Sequence, residues 1–256
     1  MALATAVLAV LVPGTALGTL TEVGTAPGDV ITYSAATGAS GVSGVSGVSG
    51  SSGVSGATGV TGSTDTSPIP QCPGLPCDAV TQTTGFQVKV GPANSITTVQ
   101  RSGSIVAWTA TIGAPTQDDI TFFNNLEGGT AEAGIAVLKP GKHLEYSLVA
   151  QSPLVQLSPY FGDTAQFPLA TSIPVTKGEI IALTVPTWAP MFALSNAAGH
   201  LYGKFVSWRS SRQKANKGCT VTSAQTAQQS LRSTVQYACL YQGVRLTYSA
   251  LVVSTP

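Results

Sequence analysis

The sequence has little charge: Asp, Glu, Lys and Arg make up only 9% of its 256 residues, and the net charge is +1. Gly, Ser, Thr, Val and Ala are abundant instead, a composition typical of β-strands and turns. Seven basic residues and no acidic ones follow Glu179, which fits either a solvated loop or contact with an anionic surface. Because no nucleotide-binding loop, redox motif or nucleic-acid-binding motif occurs, we expect no nucleic-acid partner.

Reactive side chains are also scarce. The chain has two histidines, His143 and His200, and no Gly-x-Ser-x-Gly sequence that could present a serine nucleophile. His143 shares the polar face of its predicted strand with Glu145, so we expect a surface pair there and not a catalytic base. These features argue against a hydrolase, and we expect a protein that is not an enzyme.

No apolar run is long enough to cross a membrane, so we expect no transmembrane span in the mature chain. The opening MALATAVLAVLV, twelve apolar or small residues ended by Pro13, has instead the length of a secretory signal core. Ala16 and Gly18 are small residues at the spacing that signal peptidase accepts, which predicts a signal peptide over residues 1–18 and an extracellular or cell-surface location. The usual preceding basic residues are missing, since the first is Lys89, and a buried strand or helix is the alternative.

Four cysteines are an even number in a chain expected to be exported, which predicts disulfides. Cys72 and Cys77 flank a turn sequence in CPGLPC and could pair with each other, in which case Cys219 and Cys239 would join two C-terminal strands. Two other pairings remain open. A loop of about twenty residues closed by the second bridge would stabilise the fold by about 3 kcal/mol. A zinc site is the competing interpretation.

Every third residue from 38 to 62 is glycine, followed by Ala, Val or Ser and then by Ser or Thr. This tract resembles the collagen-like Gly-X-Y stalks of bacterial surface proteins, in which a globular β-domain often caps one end. The resemblance implies a homotrimer assembled through residues 38–62. Because no X or Y position holds proline, a flexible tether is the alternative to a triple-helical rod. The tract reaches about 75 Å as a rod and about 27 Å as a coil.

Three further segments complete the chain. Residues 19–37 show little pattern and are predicted to form an extended leader. Residues 63–83 are rich in proline and turn residues, which indicates a stiff neck. Residues 84–256 have an apolar period of two and about nine short strands separated by turns. This pattern predicts an all-β fold, an antiparallel β-sandwich or jelly roll, large enough to bury a core.

Two strands show the alternation clearly. GSIVAWTATIG and VRLTYSALVV each alternate apolar with smaller or polar residues, and one face of each is predicted to be buried: Val106, Trp108, Ala110 and Ile112 in the first, Val244, Leu246, Tyr248, Ala250 and Val252 in the second. FPLATSIPVTKGEIIALTVP, residues 167–186, reads as strand, tight turn at Lys177 and Gly178, strand. It resembles a hairpin of uncharacterised secreted β-sandwich proteins of actinobacteria, which also carry a GSIVAWT-type strand. That resemblance implies fold and secretion and brings no activity.

One group of hard oxygen ligands stands out in QDDITFFNNLEGGTAE. A loop could fold these side chains around calcium, although their spacing is not that of an EF-hand. The alternative is a solvated loop in which Asp and Asn set turns. The candidate ligands are Asp118, Asp119, Asn124 and Glu127.

Exposed aromatic rings at loop positions are the second candidate, because such rings stack on sugar faces while polar neighbours bind hydroxyls. Core packing is the alternative for each of them, and Trp108 is assigned to the core. Trp188 is expected to lie near the surface, because Pro186 and Pro190 interrupt any strand around it. We expect a secreted or cell-surface structural or adhesive module on a spacer, or alternatively a carbohydrate-binding module for a glycan or cell-envelope polymer. The candidate sugar contacts are Tyr160, Phe161, Trp188, Trp208 and Arg209.

Overall fold

The computed structural model describes residues 19–25, 79–194, 202–212, 219 and 226–254. The predicted signal peptide, the glycine tract and the CPGLPC cysteines lie outside these residues. Most of the described chain forms antiparallel strands, so the prediction of an all-β fold is confirmed. The strands are β1 (Thr19–Val23), β2 (Val80–Val90), β3 (Ala93–Asn94), β4 (Gly103–Thr111), β5 (Glu132–Pro140), β6 (Glu145–Gln151), β7 (Val155–Gln156), β8 (Thr164–Val175), β9 (Ile180–Ala189), β10 (Phe192–Ala193), β11 (Val206–Ser210), β12 (Thr234–Gln236), β13 (Cys239–Gln242), β14 (Arg245–Leu246) and β15 (Tyr248–Ser254).

A four-stranded sheet has the order β1-β15-β4-β8. In β15 the predicted alternation holds, because Tyr248, Ala250 and Val252 are all buried. In β4 the alternation changes phase at a bulge, where the pairing register shifts between Ile105 and Ala107. The extra residue turns Ile105 inward together with Trp108, and Val106 is only half-buried, contrary to its predicted inward position.

A larger sheet has the strand order β12-β6-β5-β9-β2-β11-β13, with β3 and β7 attached to β2 and β5. Strands β12 and β13 lie at opposite edges of this sheet, yet only Tyr237 and Ala238 separate them in the chain. The sheet must therefore curl until its two edges meet. Arg209 holds the junction, since its Nη1 donates to the carbonyl oxygens of Tyr237 and Ala238 at 3.2 and 3.4 Å.

The curled sheet gives the molecule two main apolar cores. The larger core lies between the two sheets and includes Trp108, Leu183 and Tyr248. The smaller core fills the inside of the curl, where Phe86 and Tyr146 pack edge-on at 5.1 Å between ring centroids. Strands β5 and β9 are buried on both faces because they contribute side chains to both cores.

The C-terminal disulfide prediction is confirmed. Cys219 and Cys239 are bonded, with 5.4 Å between their Cα atoms. Cys239 opens β13 and is fully buried in the larger core. The bridge ties residue 219 to the edge of the curled sheet. It constrains the unfolded chain through a loop whose ends are 20 residues apart.

Three features of the fold differ from the prediction. The turn at Gly178 exists, with φ +91°, but the strands that it joins do not form a hairpin: β8 pairs with β4 in one sheet and β9 with β2 and β5 in the other. Part of the expected leader is strand β1, which pairs with β15. The folded unit also resumes at residue 79 and not at residue 84, because Ala79 and Val80 are already buried.

Candidate functional site around Trp188

The acidic segment predicted as a loop forms helix α1 (Gln117–Leu126). Its start is a capping box: the backbone N–H of Asp119 donates to the Thr116 hydroxyl at 3.2 Å, and the backbone N–H of Thr116 donates to the Asp119 carboxylate at 3.1 Å. Phe123 fixes the helix against the core, where it is buried. The prediction of a solvated loop was wrong because the cap and the inward Phe123 favour a helix over a set of turns.

Trp188 lies on β9 beneath this helix and is completely buried. Its indole Nε1 donates to the Asn124 side-chain oxygen at 3.0 Å and to the Gly129 carbonyl at 3.1 Å. Its ring stacks on Phe123 at 4.9 Å between centroids and contacts Phe161 at 5.8 Å. The helix therefore packs on the buried Trp188 ring and is hydrogen-bonded to it.

The expectation that Trp188 is exposed was wrong, and the pairing of β2 with β9 explains why. Thr81 of β2 faces Trp188, but the next paired residue, Thr83, faces Val185. The register shift leaves Pro186 in a bulge, where no ladder hydrogen bond is required from its nitrogen. The strand thus passes through the proline and places Trp188 inside.

A buried acidic residue and a buried basic residue lie at the C-terminal end of the helix. Glu127 is the C-cap residue of α1 and is 4% exposed, and Arg212 is 3% exposed. Arg212 Nη2 donates to the Thr81 hydroxyl at 3.3 Å, and Thr81 is in turn hydrogen-bonded to Glu127. The chain Arg212–Thr81–Glu127 joins the segment just beyond β11 to β2 and to the helix.

Burial dominates the electrostatics of this pair. Desolvation raises the pKa of the Glu127 carboxyl above its ordinary value, although the Arg212 charge and the Thr81 hydrogen bond act in the lowering direction. Burial likewise lowers the pKa of Arg212, while Tyr241 and Glu127 oppose it. Such an arrangement is typical of a structural contact, because each charge partly offsets the free-energy cost of burying the other.

Of the four candidate calcium ligands, three have separate partners within the fold and one is exposed. Asp118 is exposed, Asp119 caps the helix, Asn124 accepts from Trp188, and Glu127 is buried with Arg212. Within the described ranges, no three His, Cys, Asp or Glu side chains converge as metal ligands. The helix separates these residues on its surface, so the geometry supplies no coordination shell for the calcium hypothesis.

Trp208 and Arg209 lie away from this site, on β11. Trp208 is buried and stacks on Tyr241 at 4.7 Å between ring centroids. Its Nε1 has no hydrogen-bond partner among the residues that the structure describes. Arg209 is half-buried at the junction of the curled sheet. The expectation that Trp208 is an exposed sugar contact was therefore wrong, because the strand alternation turns it inward opposite Arg209.

Tyr160 and Phe161 are nearer the surface. Tyr160 ends a 3₁₀ turn (Ser158–Tyr160) and is 37% exposed, although its ring also contacts Phe167 edge-on at 5.1 Å. Phe161 is partly buried against the larger core and reaches Trp188. Of the five predicted sugar contacts, Tyr160 alone is an exposed ring.

A second buried polar group, centred on Arg245, was not predicted from the sequence. Arg245 is fully buried and donates to the carbonyl oxygens of Leu246 at 2.8 Å and of Gly24. The Gln87 side chain accepts from the backbone N–H of Leu246 at 2.8 Å and donates to the Ser207 carbonyl at 2.9 Å. The available signal was a lone cation inside the otherwise apolar run VRLTYSALVV.

Comparison with protein-family models, with curated proteins and with solved structures finds no match to this chain. In the described part of the chain, no helix has the length and apolar character needed to span a bilayer.

Proposed function

We propose that this protein is an exported structural or adhesive module, located outside the cell or on its surface. In this proposal residues 38–62 are the spacer that carries the β-domain. The outer surface of the domain does the binding, and its interior serves only the fold.

The observation that carries this proposal is the internal use of the conspicuous side chains. Trp188 and Trp208 pack in the core, and Glu127 and Arg212 brace the helix. Chemistry or ligand recognition requires such groups to face a cleft or the solvent. Their burial leaves the sheet surfaces and strand edges as the parts available for contact.

One further observation supports export. The bonded pair Cys219–Cys239 is a structural disulfide, which is typical of oxidising compartments. The predicted cleavage after Gly18 is also compatible with the fold, because it keeps the described residues of β1, Thr19–Val23, in the mature chain.

The outward face of the four-stranded sheet is the surface on which we place adhesion. Thr109 of β4 and Gln166 of β8 are paired neighbours on this face, since their flanking residues Trp108 and Phe167 point into the core. Both side chains are uncharged, so a polymer or a protein can approach them without stripping water from a charge.

The test is co-sedimentation of the purified full-length chain with washed bacterial cell walls. We expect the wild type to sediment with the walls, and we expect Thr109→Lys combined with Gln166→Lys to weaken binding at least tenfold. The matched control places the same two charges on exposed helix positions, Thr121→Lys and Asn125→Lys, and should bind as the wild type does. Equal loss in both variants, or no sedimentation of the wild type, would contradict the assignment.

Sugar binding is a second candidate that rests on Tyr160 alone. Its ring is exposed, whereas the two tryptophans proposed with it are not. A glycan array probed with the wild type and with Tyr160→Ala tests this directly. Binding that disappears in the variant while thermal unfolding is unchanged would support a sugar site at the 3₁₀ turn.

A further inference from the structure

Strand β1 completes the edge of the four-stranded sheet, although it is remote in the chain from the rest of the fold. All five of its residues pair with β15, from Thr19 opposite Ser254 to Val23 opposite Ala250. The next described residue after Thr25 is Ala79, so 53 residues, 26–78, lie between β1 and the remainder of the domain. The connection is therefore long enough for another copy of the chain to supply this strand.

The end of β1 is recognised by side chains as well as by the ladder. The Ser249 hydroxyl donates to the Glu22 carboxylate at 2.6 Å, and Val23 is buried in the larger core. The Gly24 N–H donates to the Ile96 carbonyl at 2.9 Å, and the Gly24 carbonyl accepts from Arg245. The groove at the edge formed by β15 and its neighbours thus binds the sequence Glu-Val-Gly in a fixed register.

Only glycine fits the last of these positions. Gly24 has φ +109°, and a Cβ atom there would lie 3.0 Å from the Tyr248 carbonyl oxygen and 3.1 Å from the Ser249 Cα atom. Both neighbours are backbone atoms of β15, which cannot move aside cheaply. A substitution at Gly24 would therefore weaken the strand through strain and through collision.

The rest of β1 is weakly anchored by side chains. Four of its five residues are exposed, and Leu20 is 60% exposed. The strand is held mainly by main-chain hydrogen bonds and by its Glu-Val-Gly end. Peptides that add a strand to a sheet edge bind in this way, with main-chain bonds for affinity and a few pockets for register.

The long connection makes a second copy a competitive donor. A random coil as long as this connection would have a root-mean-square span of about 40 Å, which corresponds to an effective concentration of about millimolar for pairing within one molecule. When copies are held together above that concentration, the β1 of a neighbour competes on equal terms, because its contacts in the groove are the same.

We propose that β1 is an exchangeable strand: the groove along β15, with its Arg245 and Ser249 contacts, accepts residues 19–24 of a second copy of this chain. Exchange links copies without creating any new interface chemistry. The proposal does not depend on the adhesive function, since it requires only that copies meet at high local concentration.

Mixing two variants, each with one cysteine added to the native four, tests exchange directly. Leu20 and Val253 face each other across β1 and β15, so Leu20→Cys in one chain and Val253→Cys in another form this bond only when the strand is exchanged. One variant carries a C-terminal tag, so that the mixed dimer has its own size on a non-reducing gel. The chains are unfolded, mixed, refolded and oxidised at concentrations from micromolar to millimolar.

The expected result is a mixed disulfide dimer whose fraction rises at least tenfold over this concentration range. The register control, Thr21→Cys mixed with Val253→Cys, should give no such rise. A synthetic peptide of residues 19–25 should suppress the mixed dimer, and the same peptide with Gly24→Val should not. The proposal is overturned if the double variant Leu20→Cys/Val253→Cys forms its internal bond readily while the mixed single variants give no dimer at any concentration.

Discussion

Replacing Trp188 by phenylalanine removes an indole N–H and part of a ring from the interior of the protein. The Asn124 side-chain oxygen and the Gly129 carbonyl lose the donor that reaches them at 3.0 and 3.1 Å. Leaving these two half-buried acceptors without their donor costs about 1–3 kcal/mol, and the missing ring atoms add about 1 kcal/mol through lost contacts and a small cavity. We therefore expect Trp188→Phe to lower the free energy of unfolding by about 2–4 kcal/mol.

This loss should be easy to measure. For a domain of this size it corresponds to a fall in Tm of about 4–16 °C. The assay is thermal and urea unfolding followed by near-ultraviolet circular dichroism, with the disulfide intact. The control is Phe205→Leu, because Phe205 is 71% exposed, and its change should stay within about 0.5 kcal/mol.

A double-mutant cycle identifies the hydrogen bond as the cause. Asn124→Ala alone should destabilise the fold by about 1 kcal/mol or more, and it should cost little once Trp188→Phe is present, since the two groups bond to each other. A loss below about 1 kcal/mol for Trp188→Phe, or additive effects in the cycle, would show that the indole is not held under the helix and would refute this account of the site.

Three further predictions follow from the packing, the charges and the disulfide. Gly85→Ala should destabilise the fold by about 1–3 kcal/mol in urea unfolding, because the added Cβ would lie 2.6 Å from the Trp208 ring. If that collision is the reason, Trp208→Leu should restore part of the lost stability. Because burial raises the pKa of Glu127 above its ordinary 4.5, its contribution to stability is present below that pH and is lost as pH rises through the raised pKa. The wild type should therefore lose stability relative to Glu127→Gln as the pH rises above that ordinary value, and an opposite trend in urea midpoints would show that the neighbouring cation dominates. Replacing Cys219 and Cys239 together by alanine should cost about 3 kcal/mol on the loop-entropy account, and an unchanged urea midpoint would contradict it.

The alternation of apolar residues predicted the strands where one face is buried against one core. Tyr248, Ala250 and Val252 illustrate this, because β15 packs on a single core and each second residue must be apolar. The same reasoning misplaced Val106, because a bulge is a local insertion that a strict period of two does not contain. Bulges depend on the partner strands, and one sequence does not reveal them.

The curl of the large sheet was beyond sequence reasoning for a different reason. It depends on β12 and β13 occupying opposite edges, which is a matter of pairing between distant segments. Thr184 and Thr84 show the consequence: their hydroxyls bond at 2.9 Å inside the curl, where a polar strand residue would be expected to face solvent. The Gln228 backbone N–H extends this group by donating to Thr84 at 2.9 Å.

Several residues of the candidate site were predicted from the sequence, but as parts of two separate ligand sites, one for calcium and one for sugar. Asn124 and Phe161 contact Trp188 where α1 packs on β9, and Glu127 links the end of α1 to β2 through Thr81. Composition indicates which side chains are unusual in a chain poor in charge and aromatics. Their direction depends on tertiary packing, and here the core uses them.

The pairing of β1 within one chain and a triple-helical rod over residues 38–62 compete for the same length of chain. A rod of this length separates its two ends by about 75 Å. Residues 26–37 and 63–78 would have to return across that distance, and their combined length is about 90 Å when fully extended at about 3.3 Å per residue. A rod with internal β1 pairing therefore needs both segments almost completely stretched, whereas a flexible connection closes without strain. Pairing of β1 with β15 is therefore compatible with a tether, whereas a rod over residues 38–62 would leave almost no spare length for it, whichever copy supplies the strand.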